Sequence, residues 1–404
     1  MILIVGLPLG LWKDRARTTR ADQALSPEAA SFDGKLNRDT QAPALARPQN
    51  RHAPGPRKGL EVNRKPIASS SNRIQAPARA SLERAVAAGL GWLDRHRTER
   101  SYWDAAKFMH HTEPQALTCE CSDAGNSMGA KRLTGLCMLA FLSDGHVTRK
   151  ARYKKTLYAA IKWIRSEQNY ETGWFRGADI HGQSILTVAL QEAYLSTDST
   201  VIQRTAMRGL KGLASAPAGF RGWHWSPHTA RNHPATASPW MALVARSAKV
   251  SSLTASPWLL EGARTWKDSV RQRRMKDETG FASAGALLAS LAFEQAEEDS
   301  AFQEMADRLV ERLPKWDPTN PSIDLEAWFL STCALWQMGG PNWSIWRLAM
   351  AKAGIHSQRN RGHLAGSWDP IGLDRISGGR VHSTAMMVLC LQAALGKHQI
   401  LDDL

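Results

Sequence analysis

The amino-acid sequence predicts an all-α fold in which six helical hairpins form an inner and an outer ring, preceded by a disordered basic linker. Three observations lead there. From Ser81 onward one phrase recurs six times: a polar amphipathic helix ending in an aromatic, a Gly/Trp corner, then an apolar helix of small residues. The second helices begin near residues 131, 181, 236, 282, 324 and 380, so the period is 40 to 60 residues, as two-helix repeats have. The first helices carry charges on one face and the second almost none, which puts one set against solvent and the other inside.

The chain opens on "MILIVGLPLGLW", residues 1–12, an apolar stub shorter than the roughly 20 residues that span a bilayer. It has no basic n-region and no small-residue cleavage site, which argues against a secretory signal and leaves open the end of a membrane segment cut short at a miscalled start. Lys13, Arg15, Arg17 and Arg20 after it favour a cytoplasmic location for all that follows, free or membrane-anchored. Residues 13–80 hold 14 Lys/Arg against 6 Asp/Glu, so more than half of the chain's formal +15 sits in this segment. Seven prolines and no tryptophan leave it too little apolar surface to offset chain entropy, and a disordered linker is expected. With Phe32 the one aromatic among its charges it offers bases almost no stacking platform, which argues against nucleic acid as a partner.

Residues 81–396 carry the repeats, and 397–404 form a tail. The first helices read "LERAVAAGLGWLDRH", "YKKTLYAAIKWIRSEQ", "VIQRTAMRGLKGLASA", "PWLLEGARTWKDSV", "AFQEMADRLVERLP" and "NWSIWRLAMAKAGIHSQ". Their partners are "KRLTGLCMLAFLSDG", "HGQSILTVALQEAYL", "TASPWMALVARSAKV", "ASAGALLASLAFEQA", "DLEAWFLSTCALWQMGG" and "RVHSTAMMVLCLQAAL". Six pairs without a polar capping repeat favour a closed ring, an α/α toroid, over an open superhelix, though tandem helix pairs build both.

The corners carry a family resemblance. Trp163 and Gln168 precede Gly173 and Trp174 in the second repeat, and Gly366, Ser367 and Trp368 give a full Gly-x-Trp in the last. This resembles the prenyltransferase and squalene-oxidase repeat of terpenoid cyclases and protein prenyltransferase β subunits. The nearest likeness is to bacterial terpene cyclase-like repeat proteins with an N-terminal membrane segment. The resemblance implies the toroid fold and an isoprenoid-like or other apolar ligand, with a protein partner as the alternative. Glycine frees the corner backbone and the tryptophan packs over the preceding helix, so Trp163, Trp174, Trp223 and Trp368 are expected to be packing residues. Repeats one, four and five lack the full motif.

The family's chemistry finds no matching motif. The inner helices contain neither the Asp-x-Asp-Asp acid of alkene-protonating cyclases nor the Asp-Asp-x-x-Asp that holds magnesium and diphosphate. There is no Asp-x-Cys of the prenyltransferase zinc site, and Cys119 and Cys121 beside His110 and His111 lack matching ligands elsewhere, so neither metal nor cofactor is expected. What remains is polar residues at the starts of inner helices. In a closed ring His181, Glu326 and His382 would face one another as acid/base groups, with Asp369 in the preceding loop. Trp240, Trp328 and Asp324 are candidates to contact a ligand there, the tryptophans through their π faces. A purely structural role competes: Asp179, Asp324 and Ser383 suit helix N-caps. The sequence therefore favours a binding toroid without the usual catalytic motifs over a cyclase or prenyltransferase with unusual acids.

Overall fold

The structure, a computed structural model, describes residues 79–108, 122–145, 151–215, 238–272 and 300–397. The apolar stub, nearly all of the linker, the cysteine pair with His110 and His111, Trp223, the inner helix expected near 282 and most of the tail lie outside those residues. Eleven α-helices are described: α1 Arg79–Arg95, α2 Ala130–Ser143, α3 Lys154–Ser166, α4 Ile180–Thr197, α5 Thr200–Ala214, α6 Ser238–Val250, α7 Pro257–Gln272, α8 Ser300–Val310, α9 Leu325–Met338, α10 Gly340–Ser357 and α11 Gly379–Ala394. Among the described residues there is no strand, and no helix is long and apolar enough to cross a membrane.

Burial separates the helices into two rings. Every residue of α11 is buried, as is α4 from Ile180 to Ala193 and α9 from Leu325 to Leu335, because small and apolar side chains surround these helices on all sides. The first helix of each pair buries one stripe. In α3 that stripe is Thr156, Leu157, Ala160, Ile161 and Ile164, the three-and-four spacing of one helix face, while its lysines stay out. Around the inner ring α9 packs on α11, α11 on α2, α2 on α4 and α4 on α6. Trp240 of α6 in turn stacks on Phe329 of α9, with ring centroids 5.9 Å apart.

The first and last repeats meet, which decides for a ring over a superhelix. α11 lies against both α1 and α2. The Gln392 amide donates to Ala140 O at 2.7 Å, the Trp92 indole to His363 O at 3.1 Å, and Lys397 Nζ pairs with Asp144 at 2.7 Å. At the other end of the seam Asn126 N donates to Ile376 O and Met128 N to Ser377 O. Arg380, with a side chain 1% exposed, contacts Asp123, donates to Ser122 O at 3.2 Å and to Ser367 Oγ at 3.0 Å, and pairs with Asp369 at 2.8 Å.

The corner motif is structural, and its register differs from the sequence expectation. Gln168 bridges to Phe175 as Gln358 bridges to Trp368, so Gly173-Trp174-Phe175 matches Gly366-Ser367-Trp368 and the buried corner aromatic of the second repeat is Phe175. Trp174 lies one position off, half-buried, its indole donating to Ala178 O at 2.9 Å. The glutamines stitch neighbouring turns: the Gln358 amide donates to Gly366 O and to Ala85 O of α1, and the Gln168 amide to Gly173 O and Thr205 O of α5. Repeat one has the same corner with serine in the glycine position. Ser101 takes φ +62°, and Trp103 two residues on is fully buried, its indole donating to Leu93 O at 2.8 Å.

Glycine is required where the corner touches the next helix. Gly366 has φ +98°, and a Cβ there would lie 2.2 Å from Ala88 O. Gly366→Ala is expected to destabilise by about 2 kcal/mol or more, strain and collision adding. Gly145→Ala, with φ +75° and no neighbour within 4 Å, isolates the strain and should cost about 1 kcal/mol. Denaturant midpoints check both, and equal costs at the two sites would show that the corner relaxes around a side chain.

Candidate functional site

The first turns of the inner helices bring their polar residues to one end of the ring. Arg132 is the third residue of α2, His181 the second of α4, Trp240 the third of α6, Glu326 the second of α9 and His382 the fourth of α11. With 1.5 Å of rise per residue, all five sit within one turn of a helix start. Asp179 caps α4 by accepting from Gly182 N at 2.7 Å, and Asp324 caps α9 by accepting from Ala327 N at 2.9 Å. Gly378 ahead of α11 has no side chain because one would run into His382 Cβ at 2.4 Å and Met128 Cε at 2.8 Å.

Glu326 is the centre of the group, with a side chain 3% exposed. One oxygen, Oε1, contacts the Arg132 guanidinium. The other, Oε2, accepts from the Trp240 indole at 2.8 Å and lies 3.0 Å from His181 Nε2, without the alignment of a hydrogen bond. Asp374, in the loop before α11, joins through Arg132 at 3.4 Å and is steadied by Ser377 Oγ at 2.8 Å. His382 Nε2 stands 3.7 Å from Glu326 and 3.9 Å from Asp374, and neither ring nitrogen has a hydrogen-bond partner.

These contacts set the charges. Burial pushes the Glu326 carboxyl upward, but Arg132 and then His181 outweigh it and hold the group well below the usual carboxylate range. Asp374 shifts the same way, burial being overcome by Arg132 and His382. Burial lowers Arg132, yet Glu326 and Asp374 raise it above its ordinary value. Asp324 moves oppositely, to about 7, through burial and the adjacent Glu326 charge. Its fold contribution is therefore greatest while it is protonated, below the unfolded value near 3.8, and declines as pH rises through about 7. Asp324→Asn keeps the cap without the charge. The variant is expected to be more stable than the parent at pH 8 and to flatten the stability profile between pH 4 and 7, read by melting at several pH values.

A cavity of about 730 Å³ opens beside this group. Its wall includes Ser127, Met128, Arg132, Asp179, Leu373, Asp374 and Ile376. Arg132 and Asp374 are thus shared between the open space and the buried cluster. Glu326, Asp374 and His382 have donor atoms within 4.8 Å of one another, a set compact enough for a metal ion, but Arg132 already supplies the positive charge between the two carboxylates.

Of the residues singled out from sequence, the structure gathers His181, Glu326, His382 and Trp240, with Asp324 alongside. Asp369 is elsewhere: its carboxylate pairs with Arg359 and Arg380 at the corner, so it belongs to the ring closure. Trp328 is buried in α9, its carbonyl accepting from Thr332 Oγ1, and the indole that donates to the Glu326 carboxylate is that of Trp240. Arg132 and Asp374 were missed. A sequence signal for Arg132 existed, since Lys131 and Arg132 occupy the first turn of α2, where the helix dipole disfavours cations.

The fold and this end-of-ring group define the chain as an α/α toroid. No family profile and no curated protein sequence matches it, whereas solved structures do. An α-1,6-mannanase of Salegentibacter in complex with α-1,6-mannotriose is 11% identical, covers 78% of this chain and 99% of its own, and superposes with a TM-score of 0.51. A type II terpene cyclase from Scytonema is 14% identical over 78% of this chain and 98% of its own, with a TM-score of 0.47. An α-amylase from Clostridium perfringens is 11% identical over 77% and 97%, with a TM-score of 0.49. At such identities the likeness to the mannanase is one of fold.

Proposed function

We propose that the chain is a toroid that binds an apolar, isoprenoid-like molecule at the end of the ring where the inner helices start, and holds it without converting it. The supporting observation is the cavity of about 730 Å³, whose wall joins the apolar Met128, Leu373 and Ile376 to the charged Lys131, Arg132, Asp179 and Asp374. A space of that size suits a small molecule that carries both apolar and polar groups. Glu326, held ionised by Arg132, is a poor source of the proton that alkene cyclisation needs, which favours binding over that chemistry. The test heats the full chain with farnesol or squalene and then recovers the compound for mass spectrometry. A raised melting temperature with unchanged compound is the expected result; no shift with either compound removes the proposal.

A second reading, an enzyme of the terpene cyclase or prenyltransferase group with unusual acid/base residues, draws on the two histidines beside Glu326. Product formed from squalene or a prenyl diphosphate, and lost in His382→Ala, would decide for it.

A further inference from the structure

We infer that a notch between α1, α10 and the end of α11 is the docking site of the chain's own acidic segment Leu401-Asp402-Asp403-Leu404, which latches the first repeat to the last. The segment itself lies outside the described residues. The site is separate from the cavity of the proposed function. Ser377, just ahead of α11, lines that cavity, whereas Ala394, the last residue of α11, lines the notch. The 16 residues of α11 put the two openings about 24 Å apart.

Size argues first. The notch holds about 230 Å³, less than the roughly 300 Å³ at which pockets for small molecules begin, and one or two side chains fill it. Its apolar wall is Leu82 of α1, Leu348 and Ala351 of α10, and Ala394. Charge argues next. The two charged residues of the wall, Arg79 and Arg347, are both exposed cations. Among the described residues Arg347 enters no ion pair, and Arg79 uses Nε alone, on Glu83 at 2.9 Å. An apolar side chain flanked by carboxylates therefore complements the notch, and Leu-Asp-Asp-Leu is that pattern.

Reach agrees. Leu395 belongs to the wall, and Leu401 follows six positions later, about 20 Å of extended chain. One four-residue turn is enough to bring it back. The root of the segment is held where Lys397 Nζ pairs with Asp144 at 2.7 Å. The other adjoining stretch, residues 71–78, runs into Arg79 and has an apolar Ile74, but it carries Arg73 and no acid, so it brings like charge to the two arginines. A docked tail ties α1 to α10 at the end of α11, as Arg380 ties the same two repeats at its start.

The test compares the melting temperature of the full chain with that of the chain ended at Lys397. The full chain is expected to melt about 2 °C higher at low salt, and the gap should narrow in 1 M salt. Arg79→Glu with Arg347→Glu, both at exposed positions, should abolish the gap. Adding Asp402→Lys and Asp403→Lys to that pair should restore it, which a tail acting by bulk alone would not do. Equal melting of the full and shortened chains overturns the inference, as does a gap that survives reversal of the arginines. A loss on deleting residues 71–78, with none on deleting 398–404, gives the notch to the linker instead. A gap that grows with chain concentration, alongside a dimer in light scattering, gives it to the tail of a second copy and overturns the latch within one chain.

Discussion

Glu326→Ala is expected to be the most damaging single substitution at the centre of the ring. It leaves the Arg132 guanidinium without its principal partner and takes the acceptor from the Trp240 indole, which is fully buried. Breaking a buried ion pair from one side costs about 3–5 kcal/mol, because the surviving charge is desolvated and uncompensated. Glu326→Gln keeps an oxygen for Trp240 and loses the charge, so it should fall between the parent and alanine. Arg132→Met combined with Glu326→Gln should recover part of the loss, since no lone charge then remains. The pH dependence has a definite sign. A carboxylate held below its ordinary value stabilises the fold above the unfolded value near 4.5 and loses that contribution as pH falls toward its folded value. The stability gap between the parent and Glu326→Gln is therefore expected at pH 7 and should shrink on acidification. Denaturant midpoints across that range measure it, and a constant gap would show that the lost carboxylate acts through packing alone.

Arg380→Met should open the seam of the ring. The guanidinium joins Asp123 and Ser122 on the loop before α2 to Ser367 and Asp369 on the last corner, so its removal releases four contacts and leaves the Asp123 carboxylate without its cation, while Asp369 keeps Arg359. Those carboxylates are partly exposed and regain water. The cost is expected near the lower end for a buried pair, about 3 kcal/mol. Arg380→Lys retains the charge but not the planar fork, and should recover less than half of the loss. Proteolysis between α1 and α2, faster in Arg380→Met than in Arg380→Lys and slowest in the parent, reads the opening. Equal rates in all three would assign the closure to the apolar contacts of α11.

The fold was largely legible because each hairpin writes its own burial pattern. Six charge-poor second helices in a row leave no other place for them than a shared interior. The corner of repeat one was hidden, since Ser101 takes a left-handed conformation that sequence reading assigns to glycine. In repeat two Trp174 drew attention from Phe175, because tryptophan is the more conspicuous residue although phenylalanine fills the buried position. At the site, inner-helix starts pointed to His181, Glu326 and His382, which follow from ring geometry alone. Asp374 sits in an irregular loop with no period to betray it. Arg132 was visible only as a local contradiction, a cation at the wrong end of a helix, resolved by carboxylates that arrive from far along the chain.

The seam also governs when the protein can fold. Gln358 reaches a partner 273 positions earlier in the chain, Arg380 one 257 earlier and Gln392 one 252 earlier. Contacts of such sequence separation form late, after a large loop entropy has been overcome. During synthesis α1 and α2 emerge first and wait, with apolar faces open, until α11 leaves the ribosome. In a nascent chain that ends before Gly379 the faces of α1 and α2 that α11 covers are open, and there misassembly between neighbouring chains would begin.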